Sequence, residues 1–124
     1  MVDPARPTST IGRDAERRAR RYLEQCGLEL VTSNFRCPGS EIDLIMRDGR
    51  QIVFVEVRFR SHPHFGGGAE SVDRRKRDKL TGCALYYLQR YPEAARHGVR
   101  FDVIAMGPDP QTIDWIKDAF QAAD

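Results

Sequence analysis

"GSEIDLIMRDGRQIVFVEVRFR", residues 39–60, sets side chains in strict alternation on both sides of one Asp-Gly dipeptide. In the first arm Ile42, Leu44 and Met46 fall on one side, with Glu41, Asp43 and Ile45 on the other. Asp48-Gly49 predicts a two-residue hairpin loop. In the second arm Val53, Val55, Val57 and Phe59 share one face, while Ile52, Phe54, Glu56, Arg58 and Arg60 share the other. Both faces begin apolar, as in a central strand covered on two sides. Two acids, Asp43 and Glu56, nevertheless stand where a core is expected.

With Asp48 and Gly49 as the loop, Arg47 pairs with Arg50, Asp43 lies opposite Phe54, and Glu41 lies opposite Glu56. Asp43 and Glu56 are then diagonal neighbours on one face, about 7–8 Å apart at the backbone. From that separation two carboxylates can converge on one ion, with oxygen distances of about 2.0–2.1 Å for Mg²⁺. Arg58 projects on the same side. A buried ionised carboxylate without compensation costs several kcal/mol. The compensation expected is a divalent cation, Arg58 and Arg60, or the basic start of a helix. A cation held this way polarises a phosphoryl oxygen and lowers the pKa of bound water, which is the chemistry of in-line phosphodiester attack.

Upstream, Ala15, Ala19, Tyr22, Leu23 and Cys26 mark one face of a helix over 12–27, with Gly27 as its C-cap. "LELVTS" opens a short strand, and "NFRCPGS" reads as a loop. Downstream, "SHPHFGGGAES" has loop chemistry, and its His62 and His64 are weak metal candidates. Ser71 is the expected cap of a second helix, whose inner face carries Leu80, Cys83, Ala84, Tyr87, Leu88 and Tyr91 until Pro92 stops it. "VRFDVIAM" is a further strand, with Asp102 paired to Arg100 or a helix end. "TIDWIKDAF" is a short strand or a strand-to-helix segment. Cys26, Cys83, Tyr87 and Trp115 read as core. This order predicts one α/β domain over 12–120, a mixed central sheet flanked by helices, with a flexible N-terminus at 1–11 and a tail at 121–124.

A chain of 124 residues suits one modest core. With 40% hydrophobic and 31% charged residues it has no disordered signature. The formal charge of +2 matters less than its distribution. Arg17, Arg18, Arg20 and Arg21, and the run Arg74, Arg75, Lys76, Arg77 and Lys79, are basic, whereas Asp109, Asp114, Asp118 and Asp124 make the far end acidic. An anionic partner is expected for the basic face, with phosphates meeting the second helix at its start. The three cysteines are odd in number, so neither a disulfide framework nor a zinc site is expected, and a reducing cytoplasmic setting fits. No apolar run approaches the roughly 20 residues of a membrane span.

The upstream helix with Glu16, then "EIDLI", then "VFVEVR", a basic helix and "RFDV" together resemble the YraN-like family of small bacterial proteins. That family is similar to archaeal Holliday-junction resolvases of the PD-(D/E)xK nuclease superfamily. The resemblance runs from about Gly12 to Phe120 and implies a restriction-endonuclease-like fold. It makes Asp43 and Glu56 metal ligands and Glu16 a third acid, and puts Arg58 at the motif's basic position, where lysine is usual. It implies nucleic-acid cleavage, DNA above all, with Mg²⁺ or Mn²⁺; from the charge pattern itself, Arg60, Arg74, Arg75, Lys76 and Lys79 are the expected nucleic-acid contacts. A fold that retains binding without cleavage is the alternative, because guanidinium cannot act as a base. The resemblance also admits a two-fold dimer, since resolvases cut paired strands.

Overall fold

The computed structural model describes residues 6–59, 72–109 and 111–121, with side chains from Gly12 onward in the first helix. Helix α1, Arg6–Gln25, is followed by strands β1, Glu29–Cys37, β2, Ser40–Asp48, and β3, Gln51–Phe59. Helix α2, Arg74–Arg90, leads through a 3₁₀ turn at Pro92–Ala95 to β4, Val99–Met106, and β5, Ile113–Phe120. The strands lie in the order β1-β2-β3-β4-β5. Every pairing is antiparallel except β3 with β4, and α2 lies in the crossover that a parallel pair requires.

The sheet separates two apolar layers. Ala15, Ala19 and Leu23 of α1 pack on Leu44, Met46, Val53, Val55 and Ile104. Leu80, Cys83, Ala84 and Tyr87 of α2 pack on Ile45, Ile52, Phe54, Phe101 and Val103. The central strands are therefore apolar on both faces, as their sequence predicts. One α/β domain with a mixed five-stranded sheet between helices is the expected class, and it is consistent with a restriction-endonuclease-like fold.

Local chemistry explains most boundaries. Gly27 is left-handed at φ 99°, Leu28 N–H donates to Leu23 O and Gly27 N–H to Glu24 O, which closes α1 in a Schellman arrangement. The helix begins at Arg6, earlier than the periodicity from Gly12 suggests. Strand β1 continues through "NFRC", expected to be loop, and only Pro38-Gly39 turns the chain. The cap of α2 is Asp73, whose Oδ1 accepts from Lys76 N–H at 2.9 Å, rather than Ser71, which lies outside the described residues. His62, His64 and Arg60 lie outside them too. Tyr91 is exposed and Cys26 is exposed, so neither is core. Cys37 and Cys83 form a disulfide with a Cα–Cα distance of 5.7 Å, joining β1 to α2 and overturning the unpaired reading.

The hairpin register differs from the expected one. Asp48 pairs with Gln51, so the loop is Gly49-Arg50. Gly49, at φ 62°, fills the first loop position, where a type II′ turn needs a positive φ. Moving the loop by one residue shifts the pairing by two, which preserves each strand's faces.

Candidate functional site

The β2–β3 ladder runs from Asp48↔Gln51 as far as Leu44↔Val55. One step further in the same register, Asp43 stands across from Glu56, closer than the diagonal placement expected. There the strands part, and Asp43 Oδ2 accepts from Val57 N–H at 2.8 Å in place of a backbone carbonyl. Ile42 packs with the α2 layer although it shares parity with Leu44, which packs with the α1 layer. Strand β2 thus rolls about its axis at Asp43, which opens this residue to groups from both sides of the sheet.

Both sides contribute. Glu16 reaches Asp43 from α1, one turn before the buried Ala19. Glu56 meets Asp43 from β3. Carboxylate oxygens of Glu16, Glu41 and Asp43 lie within 4.8 Å of one another. Glu41 does not oppose Glu56: it pairs with Arg36 of β1, their side chains 3.7 Å apart. From the α2 side Lys76 Nζ lies 3.5 Å from Glu56 Oε2, and Arg58 Nη1 lies 3.5 Å from the same atom. Glu56 and Asp102 are the buried charged residues among those described.

The two buried acids are held very differently. Asp102 accepts from Arg100 Nε at 3.0 Å, from Trp115 Nε1 at 2.9 Å and from Asp118 N–H at 2.9 Å. Its pairing with Arg100 is the expected one, and its hydrogen bonds all serve the fold. Glu56 has two cations at the long end of an ion pair and another carboxyl beside it. Burial first, then Asp43, pushes its carboxyl up to about 8, against Lys76 and Arg58. Burial, then Asp43, raises Glu16 to about 7, against a hydrogen bond from Asn34. Near neutral pH the cluster holds protons that like charges and desolvation impose. A divalent cation binding there would displace those protons, so its affinity would rise with pH. The all-carboxylate donor set fits a hard cation such as Mg²⁺ or Mn²⁺.

Glu16, Asp43, Glu56 and Arg58 thus come together, as their sequence positions imply, and Lys76 joins them. Arg74, Arg75 and Lys79 are exposed along the same helix. Sequence reasoning missed Asn34, Glu41 and the place of Lys76 within the site. Asn34 is left-handed at φ 53° inside β1, a conformation asparagine tolerates, and its side chain is turned to Glu16. Beside Glu16 a shallow cleft is lined by Arg13, Arg17, Arg20, Ser33 and Asn34. It gives the acids a basic margin on the α1 side, and Lys76 gives them one on the α2 side.

A model of the uncharacterised protein family UPF0102 matches residues 15–106, which include every acid of the cluster. A UPF0102 protein of Ectopseudomonas mendocina is 50% identical over 113 residues, covering 90% of this chain and 95% of its own. One from Xanthomonas oryzae pv. oryzae is 50% identical over 113 residues, covering 91% and 93%. One from Halorhodospira halophila is 52% identical over 110 residues, covering 89% and 86%. The chain belongs to the uncharacterised protein family UPF0102, the YraN family that its hairpin acids resemble.

Proposed function

We propose that the protein is a divalent-metal-dependent endonuclease that hydrolyses phosphodiesters in structured or branched DNA. The observation that carries this reading is the convergence of Glu16, Asp43 and Glu56, from α1, β2 and β3, at the point where the central ladder opens. Asp43 and Glu56 would hold Mg²⁺ or Mn²⁺, with Glu16 beside them. The ion, when bound, supplies Lewis-acid polarisation of the phosphate and a more acidic water.

The chain's own groups do the rest. Asp43 is fixed by Val57 N–H, which sets the direction of its carboxylate toward Glu16 and Glu56. Glu16 and Asn34 orient the water side of the cluster. Arg58, always charged, stabilises the phosphate as negative charge grows on it. Arg74, Arg75 and Lys79 bind flanking phosphates and set register along the strand, and Arg60 belongs to the same basic set. Cutting paired strands takes two sites, so this reading also expects a two-fold dimer, acting in the cytoplasm where chromosomal DNA lies.

One observation favours a second reading, a nuclease fold that binds nucleic acid or a protein partner without cutting. Arg58 occupies the lysine position, and it and Lys76 both lie 3.5 Å from the Glu56 oxygen that a metal would use. Calorimetric titration of Mn²⁺ into wild type and Asp43→Ala, followed by branched, duplex and single-stranded DNA, separates the two. Wild type is expected to bind Mn²⁺ and cut branched DNA, and Asp43→Ala to do neither. Cleavage persisting in Asp43→Ala would defeat the assignment. Salt-dependent DNA binding without cleavage would establish the second reading.

A further inference from the structure

We propose that Lys76 of α2 is a catalytic residue of this site, its ammonium group contacting the scissile phosphate beside Glu56, a role that rests on the nuclease reading above. Four observations place it there. Its Nζ lies 3.5 Å from Glu56 Oε2, on the atom that Arg58 also reaches. Among the described ion pairs, no other group of α2 comes to that carboxylate. The Lys76 side chain is 34% exposed against 5% for Glu56, so the ammonium stands between the buried acid and the solvent from which a substrate arrives. Its backbone is also fixed: Lys76 N–H donates to the Asp73 cap, and the adjoining Val72 is fully buried.

Lysine and arginine divide the work by geometry. Arg58 extends from the strand that carries Glu56 and lies alongside it. Lys76 comes instead from α2, the helix packed on the sheet face that carries Ile52 and Phe54. A phosphate seated against the acids therefore meets one cation from the strand and one from the helix. A compact ammonium with rotatable donors can serve Glu56 and a phosphate oxygen together, whereas Arg74, Arg75 and Lys79 face solvent further along.

The step balances without a proton from lysine. The oxygen of a water molecule bonds to phosphorus as one ester P–O bond breaks. One water proton passes to solvent, and the departing alkoxide takes one from solvent. Phosphodiester and water thereby become phosphomonoester and alcohol. Lys76 remains an ammonium throughout, donating to Glu56 and to a non-bridging oxygen whose negative charge grows as water adds.

Steady-state cleavage of branched DNA with Mn²⁺ by wild type, Lys76→Met and Lys76→Arg tests this, with Mn²⁺ calorimetry on the same samples. Lys76→Met should lower kcat about 100-fold while KM changes less than about threefold, the split expected when transition-state charge loses a donor. Lys76→Arg, keeping the charge, should recover about a tenth or more of the rate. Mn²⁺ should bind Lys76→Met more tightly, because a competing positive charge has left Glu56. An unchanged kcat, or a loss confined to KM, overturns the proposal. Loss of Mn²⁺ binding in Lys76→Met also overturns it, since lysine would then merely assemble Glu56. If wild type cuts none of the DNAs, the nuclease reading fails and the inference with it; if wild type cuts and Lys76→Met cuts equally well, the inference fails alone.

Discussion

Glu56 and Asp102 occupy neighbouring central strands and are both almost wholly buried, yet they have opposite consequences. Asp102 is tied to Arg100, Trp115 and the backbone of Asp118, where the β4–β5 register shifts. Asp102→Ala removes one of the two carboxylates that meet the largely buried Arg100 guanidinium, Asp48 being the other, together with the acceptor of the Trp115 indole and the Asp118 N–H, and should cost about 1–3 kcal/mol in urea unfolding. Glu56 and Glu16 act through pH. Both carboxyls are raised from an ordinary value of 4.5, to about 8 and about 7. The folded state therefore binds these protons more tightly than the unfolded chain. Their contribution is complete below pH about 4.5 and is lost as pH rises through 7 and 8. In chelator, the melting temperature should fall from pH 5 to pH 9, and Mn²⁺ should restore it at the alkaline end. A melting temperature that rises over that interval would contradict the proton-sharing cluster. Glu56, Asp43 and Arg58 were legible as residues because acids interrupt an apolar alternation. Asn34 was not, since a positive φ inside a strand leaves no trace in composition.

At the scale of elements, the strands of the hairpin were readable and their register was not. Asp48-Gly49 and Gly49-Arg50 are both acceptable loops, and alternation cannot choose between them, because a two-residue slip leaves every face unchanged. Opposing rather than diagonal acids is the result, and it makes the cluster tighter. Helix α2 was legible through its apolar stripe, but its first residue was not, because both Ser71 and Asp73 can cap. That two-residue difference matters, since Asp73 as cap puts Lys76 in the first turn. The exposed cations of this helix carry a separate prediction. If they neutralise phosphates, replacing Arg74, Arg75 and Lys79 by glutamine should flatten the plot of log affinity against log salt by about 0.9 for each phosphate no longer neutralised on duplex DNA. Fluorescence anisotropy across salt concentrations measures this, and an unchanged slope would remove these residues from the interface.

For the molecule as a whole, the two-sided sheet followed from strands with two apolar faces and its mixed character from the order of helices and strands, whereas the parallel pairing of β3 with β4 was not assigned in advance. The Cys37–Cys83 bond did not follow either, because counting three cysteines says nothing about which two meet across 46 residues. Closing so long a loop restricts the unfolded chain, so reduction should lower unfolding free energy by about 2–4 kcal/mol, checked by urea titration with and without dithiothreitol. Equal midpoints would show that the bond adds nothing to stability.

Each wall of the cluster comes from a different layer: Glu16 arrives with α1, Lys76 with α2, and Asp43 and Glu56 with the strands between. A nascent chain that has laid only one helix on its sheet lacks part of the set. The full set of acids and cations is therefore assembled only by the last docking event, when both helices lie on the sheet.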